Sequence, residues 1–238
     1  MIELDFTYDI EKDVDKYVWA FIEDGIPSYG RDMTDLYSRL LPRFAPPLDV
    51  RALKQQDSAT QRKNIKEYIT KNLYRPNIMD VNAQALRRIW SNLGPKYTAR
   101  LKKYFKISVV IAEPMTCYFT TITINPHGTD DFFVTAHNGL ASQTKTIMHE
   151  TMHLVFLKHF REYLEKNGLN EEQIQNIKEA LVELLNLEFK DLTPVPETDN
   201  KPSTVKLKQL IKENYDKVDF EGLLKLLIKE EKRKKTVK

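Results

Sequence analysis

Apolar positions in the first hundred residues recur every three or four residues, which is the spacing of one face of a helix. The pattern predicts five helices, and turn residues rich in proline and glycine separate several of them. The aromatic residues of this part fall at spacings typical of a packed core rather than of a ligand site. The predicted helices cover residues 11–23, 33–44, 58–73, 81–92 and 95–105.

The pattern changes after residue 106, where β-branched and aromatic residues cluster in short runs. Three such runs lie at residues 107–112, 117–125 and 132–136, with proline and glycine breaks between them. These runs predict three strands in a small antiparallel or mixed sheet, most simply an antiparallel meander.

Helical spacing returns after the predicted strands. A long helix is expected to begin near Ser142, which can cap it, and to end at Gly168. A second long helix is expected over residues 170–189, because Asn170 and Gln173 form the capping-box pattern at its start.

The remainder of the sequence predicts a linker and two further helices. Residues 191–203 contain three prolines and indicate an extended linker, and amphipathic spacing follows at 204–215 and 219–232. We therefore expect an α+β fold in three regions. They are a mainly helical amino-terminal region at 1–105, a core at 106–190, and a carboxy-terminal region at 191–238 that packs on the core.

Composition limits the class of protein. Hydrophobic residues make up 41% and charged residues 30% of the chain, a balance typical of soluble proteins. No apolar run approaches the roughly 20 residues that a membrane span requires, and the first residues are acidic, unlike a signal peptide. The single cysteine, Cys117, fits a reducing compartment. We expect a cytoplasmic protein with no membrane partner.

The net charge is small and unevenly distributed. A formal charge of +3 does not by itself indicate nucleic-acid binding. Four basic residues at 232–235 form a cluster, but a solvated, frayed segment is the usual outcome for such a run. Nucleic acid is therefore not an expected partner.

The strongest chemical motif is His149-Glu150-Thr151-Met152-His153, an H-E-x-x-H pattern in the first long helix. Residues four apart share a helix face, so both imidazoles point towards one spot and can bind one metal ion. Glu150 lies beside them, where it can act on a water molecule. The pattern predicts one zinc ion per chain, and the alternative is an ordinary polar helix face.

A catalytic zinc generally takes three protein ligands, so a third ligand is needed. His159 has the spacing of the metzincin pattern, but Phe156 stands where that pattern requires a glycine that ends the helix. On an unbroken helix His159 would lie roughly 9 Å beyond His153. Glu172 has a spacing that some aminopeptidases use, yet it would lie on the order of 20 Å from the metal. We expect neither residue to be a ligand.

Another candidate follows if the two long helices form an antiparallel hairpin that turns at residues 166–168. In such a hairpin, residues at equal distances before and after the turn face each other, so the position numbers of facing residues have a constant sum. The turn at 166–168 therefore places His153 opposite Glu179 and His149 opposite Glu183. The two glutamates lie four apart, on one face of an otherwise apolar segment. They are either part of the metal site or a pair of solvated helix glutamates.

The H-E-x-x-H motif followed by Glu179-x-x-x-Glu183 resembles the gluzincin metallopeptidases. In that family a glutamate on the next helix is the third zinc ligand, and an acidic residue four further on orients the first histidine. The resemblance implies a zincin-like core, with Glu179 as the ligand and Glu183 as the acceptor for His149. The sequence departs from the family in having Glu rather than Asp at 183, Lys178 before the ligand, and a longer hairpin.

The resemblance further implies a peptidase that acts on a peptide or protein. Zinc would lower the pKa of its water towards about 7, and Glu150 would be the general base. Tyr215 is the candidate for stabilising the oxyanion. An extended substrate could pair with the last predicted strand by β-addition. The substrate-binding residues expected there are Phe132, Phe133, Val134, Thr135 and Ala136.

A second hypothesis belongs to a different class. The chain could be a zincin-shaped binding or regulatory protein whose peptidase activity is latent, restricted to one partner, or lost. A cleft covered by the carboxy-terminal helices or by the proline-containing segment would favour this hypothesis.

Overall fold

The computed structural model describes residues 2–23, 25, 39–108, 114–123, 131–198 and 201–235. Within these ranges the fold is mixed α+β and mostly helical, which confirms the predicted class. Packing divides the chain into two compact units, each assembled from separate parts of the sequence. Unit 1 comprises Met1–Glu3, Arg88–Met115 and Thr144–Lys238, and unit 2 comprises Leu4–Arg87 and Thr116–Gln143.

The described residues contain one sheet of three strands, with β2 in the middle. Strand β1 is Leu4–Tyr8, β2 is Met115–Thr120 and β3 is Asp131–Thr135. Strands β2 and β3 confirm two of the predicted runs, whereas β1 was not predicted. The run predicted at 107–112 lies mostly outside the described residues.

The sheet is parallel, so the expected antiparallel meander is wrong. Strand β3 pairs with β2 in parallel register, with Cys117 opposite Phe132 and Phe119 opposite Val134. Four of the five residues of β3 are buried, so the strand is covered on both faces. Continuous burial of this kind is typical of parallel sheets, whereas a meander with one solvated face would show alternation.

The helices of the first half largely follow the predicted ones. Helix α1 extends into a π-helical turn at Val18–Ile22, and Asp side chains cap the starts of α1, α2 and α3. Half of the helix predicted at 33–44 lies outside the described residues, and in the other half only residues 39–40 are helical, so the prediction is wrong for 41–44. The helix bounds are Ile10–Tyr17 for α1, Val50–Lys54 for α2, Ser58–Asn72 for α3 and Pro76–Phe105 for α4.

Helix α4 corrects the expectation of two helices, because it continues through Pro95 without a break. Proline in a helix interior removes one backbone hydrogen bond. Packing on both sides of Pro95 offsets that loss, since Trp90 and Tyr97 are buried. Their polar atoms are also satisfied, because Trp90 Nε1 donates to the carbonyl of Ile2 at 3.0 Å and Tyr97 Oη to that of Met148 at 2.6 Å.

The described residues from Leu140 onward are mainly helical, as predicted, but the second long helix, expected to reach residue 189, ends as an α-helix at Leu181. Helix α5 begins at Leu140, two residues before the expected cap at Ser142. None of the described helices is long and apolar enough to cross a membrane. The helix bounds are Leu140–Lys166 for α5, Glu171–Leu181 for α6, Val205–Asn214 for α7 and Phe220–Lys235 for α8, with 3₁₀ helices at Val182–Asn186 and Pro202–Thr204.

A buried carboxylate holds α1 against the end of β2 within unit 2. Asp13 is fully buried and accepts hydrogen bonds from Thr120 Oγ1 at 2.6 Å and from Thr121 Oγ1 at 2.7 Å. The backbone N–H of Thr121 and the hydroxyl of Tyr8 also donate to it, each at 3.2 Å. Burial raises the pKa of Asp13, although these donors act in the opposite direction. The four donors would lose their acceptor if the carboxylate were removed.

We predict that Asp13→Ala lowers the free energy of unfolding by about 3 kcal/mol, because it leaves buried donors without an acceptor. Asp15→Ala is the matched control on the same helix. The Asp15 side chain is 57% exposed and pairs with Arg62 at 2.7 Å, so its loss should cost less than about 1 kcal/mol. Urea denaturation followed by circular dichroism measures both. Equal losses in the two variants would contradict the role given to Asp13.

Candidate metal centre

Helices α5 and α6 form an antiparallel hairpin in unit 1. The chain turns at Gly168, whose φ of 75° lies in the left-handed region that glycine adopts readily. Asn170 caps α6 and Gln173 completes a capping box, as the sequence predicts. Across the turn, two guanidinium nitrogens of Arg161 contact the two carboxylate oxygens of Glu171, each at 2.9 Å. The turn and this ion pair fix which residues of the two helices face each other.

The H-E-x-x-H residues of α5 converge on one point. The ring centroids of His149 and His153 are 4.4 Å apart. The potential ligand atoms of these histidines and of Glu150 all lie within 4.8 Å of one another. His153 and Glu150 are buried, whereas the side chain of His149 is 14% exposed. The cluster therefore lies in the protein interior with one edge open to solvent.

Glu179 of α6 places a carboxylate beside the imidazole of His153. Its Oε1 lies 3.6 Å from Nε2 of His153, and its side chain is 15% exposed. Two ligand atoms on one tetrahedral zinc ion lie roughly 3.3 Å apart, so the observed separation suits a shared metal. Two imidazoles and one carboxylate are also a donor set that zinc takes in catalytic sites. The structure thus brings His149, Glu150 and His153 close enough together to hold a metal ion, and Glu179 lies next to this group through its contact with His153.

Burial and nearby charges set the protonation of the cluster. Burial lowers the pKa of His153. Burial alone would raise the pKa of Glu179, but its contact with His153 and the charges of Lys178 and Lys201 hold that pKa well below its usual range. Burial raises the pKa of Glu150 to about 7. His153 is thus held neutral and Glu179 ionised, and these are the forms in which the two side chains bind metal.

Glu197 is the carboxylate that contacts His149. Its Oε2 lies 2.8 Å from Nδ1 of His149, and the Nζ of Lys145 lies 3.3 Å from the same oxygen. Burial alone would lower the pKa of His149, but this contact and the surrounding carboxylates raise it. A hydrogen bond at Nδ1 leaves Nε2 of His149 for a metal. Sequence reasoning missed Glu197, because no periodicity relates positions 48 residues apart.

The structure does not give Glu183 the role that the family resemblance implies. Its carboxylate accepts a hydrogen bond from Nδ2 of Asn186 at 3.2 Å and lies 3.5 Å from the Nζ of Lys212. The α-helix gives way to a 3₁₀ helix at Val182, one residue before Glu183. The tighter winding places successive residues further apart around the axis, so Glu183 no longer shares the face of Glu179.

The other candidate residues lie elsewhere. His159 and Glu172 are exposed, on α5 and in the first turn of α6. Tyr215 follows α7, and its carbonyl accepts a hydrogen bond from Tyr104 Oη at 3.3 Å. Residues 132–136 belong to unit 2 and are buried. Roles for Tyr215 and for this strand in catalysis or substrate binding stay predictions.

Comparison with known proteins assigns no family. No protein-family model matches the sequence, and comparison with curated proteins and with solved structures gave no significant match either. The gluzincin resemblance therefore rests on the motif in α5 and on the contact of His153 with Glu179.

We predict that the chain binds one zinc ion and that His153→Ala weakens zinc binding by more than about 100-fold, because it removes a ligand. His159→Ala is the matched control, since it removes an exposed histidine from the same helix and should leave the affinity unchanged. Competition with a chromophoric chelator measures both affinities. Equal zinc binding by the two variants would contradict the assignment of the ligands.

Proposed function

We propose that this chain is a zinc-dependent peptidase with a gluzincin-like centre. The observation that supports it best is the distance of 3.6 Å between His153 Nε2 and Glu179 Oε1, which adds a ligand from a second helix. The H-E-x-x-H motif alone supplies two ligands, whereas catalytic zinc sites use three. Zinc is the expected cofactor, with one ion per chain, and a peptide or protein is the expected substrate.

Zinc, when bound, supplies Lewis acidity and makes water a nucleophile near neutral pH. We assign the proton transfer to Glu150, and its proximity supports this, since its carboxylate lies within 4.8 Å of the ligand atoms of both histidines. In this proposal the carboxylate takes a proton from the water that attacks the peptide carbonyl. It then gives the proton to the leaving amine as the C–N bond breaks. The partial exposure of His149 and Glu179 leaves a side from which a peptide can approach.

A second candidate function is a zincin-shaped protein whose activity is latent. One contact favours it, because Nζ of Lys201 lies 2.8 Å from Oε2 of Glu179. An ammonium group on the carboxylate that should bind zinc competes with the metal for that oxygen. Lys201 lies in the proline-containing segment at 191–203, which is one of the parts of the chain expected to cover a latent site.

We predict that wild-type protein loaded with zinc cleaves members of a broad peptide library and that Glu150→Gln reduces the rate by at least about 1000-fold while zinc stays bound. The amide has nearly the same shape as the carboxylate but cannot accept the proton. Glu162→Gln is the control, since Glu162 lies on the same helix with a side chain that is 79% exposed. Mass spectrometry of the digests gives the rates.

Two outcomes contradict the peptidase proposal. One is a wild-type protein that binds no zinc although both histidines are intact. The other is zinc-loaded wild-type protein that leaves every peptide of the library uncut, and this result would favour the latent or regulatory function.

A further inference from the structure

The chain between α6 and α7 contacts the metal centre at two points. We call the later part of this chain, residues 192–198 and 201–204, the strap. One strap residue, Glu197, contacts His149, and another, Lys201, contacts Glu179. Both contacts fall on residues that the proposed function assigns as zinc ligands. The strap therefore contacts a ligand on each of the two helices of the hairpin.

The position of Glu197 is fixed by the chain that follows α6. Its backbone N–H donates to Oδ1 of Asn186 at 2.7 Å, and Nδ2 of Asn186 donates to its carbonyl at 2.9 Å. The same amide nitrogen of Asn186 donates to the carboxylate of Glu183 at 3.2 Å. Glu183 therefore helps to hold Asn186, and through it Glu197, in place. The carboxylate itself is buried, with Oε1 accepting from the N–H of Thr198 at 2.9 Å. Few orientations remain open to it, so it can hold the ring of His149.

The carboxylate of Glu197 favours metal binding in two ways. It accepts from Nδ1 of His149, which selects the tautomer whose Nε2 is free to bind and raises the basicity of that nitrogen. It also places a negative charge near the metal. Lys145 shares the same oxygen and limits its movement.

The ammonium of Lys201 acts in the opposite direction. It occupies Oε2 of Glu179 at 2.8 Å, while Oε1 lies 3.6 Å from His153. A positive charge this close repels a divalent cation, and a metal that takes Oε2 must displace it. The side chain of Lys201 is 38% exposed, so solvent weakens the repulsion without removing it. Lys178, which contacts Oε1 at 3.0 Å, is buried and adjoins Glu179 in the chain, so it belongs to the helix rather than to the strap.

We propose that the strap sets the zinc affinity of this centre through two contacts of opposite effect. Glu197 is a positioning residue that strengthens zinc binding through His149, and Lys201 weakens it by competing for Glu179. The inference rests on the proposed zinc site, and it assigns the control of that site to a segment outside the helix hairpin.

The test measures zinc affinity with Zn²⁺ alone as the ligand, by competition with a chromophoric chelator. Glu197→Gln should weaken binding by about 10- to 100-fold, the usual effect of losing such a partner. Lys201→Met should tighten binding by about three- to tenfold, because it removes a partly screened charge. If the strap acted only as a structural support, both variants would bind zinc more weakly than the wild type.

Matched controls and a spectroscopic readout complete the experiment. Glu172→Gln and Lys206→Met remove the same charges at exposed positions of α6 and α7 and should leave zinc affinity unchanged. Nitrogen-15 NMR of the imidazoles should show one tautomer for His149 in the wild type and a mixture in Glu197→Gln. Glu197→Asp keeps the charge and should retain part of the zinc affinity that Glu197→Gln loses. If Glu197→Gln does not fold, the zinc affinity of Glu197→Asp tests the role of Glu197 instead.

The outcomes separate this inference from the proposed function. A wild-type protein that binds no zinc overturns the zinc site and the inference with it. A wild-type protein that binds zinc, with unchanged affinity in Glu197→Gln or without tighter binding in Lys201→Met, overturns the inference and leaves the site standing.

Discussion

The length of the α5–α6 hairpin decides which carboxylate of α6 lies beside His153. The H-E-x-x-H motif directs both imidazoles from one face of α5, and in the proposed zinc site the third ligand comes from another segment. The turn at Gly168 and the cap at Asn170 fix the start of α6, and this start pairs His153 with Glu179. Moving the turn by one residue would rotate α6 by about 100° and direct Glu179 away from the site.

The centre places several charges in a largely buried position, and two of its carboxylates have partners that can carry the opposite charge. Glu179 contacts Lys178 and Lys201, and Glu197 contacts Lys145 and His149. A buried charge without a partner would cost several kcal/mol. The pairing therefore offsets the negative charge of Glu179 and Glu197. It also places two lysines against Glu179, the carboxylate of α6 in the proposed zinc site.

Positions set by helix geometry could be predicted from the sequence, and those set by irregular chain could not. The position of Glu179 can be predicted from helix periodicity and one short turn. Glu197 instead reaches the site through a segment without a repeating conformation, so its position cannot be predicted in this way. The prediction that Glu183 faces His149 requires a continuous α-helix, but a 3₁₀ helix begins at Val182. In the rest of the fold, burial overrides the local preference of Pro95 to end a helix. Short strands likewise do not reveal their direction when both faces are buried.

The central claim is that His149, His153 and Glu179 bind a single zinc ion. X-ray diffraction from zinc-loaded crystals at energies above and below the zinc edge tests it most directly, because the anomalous difference locates the metal independently of any assumed ligand. The account predicts one peak per chain, about 2.0 to 2.2 Å from Nε2 of both histidines and from a carboxylate oxygen of Glu179. A peak too far from Glu179 for a zinc–oxygen bond, or no peak between these helices, would contradict this claim.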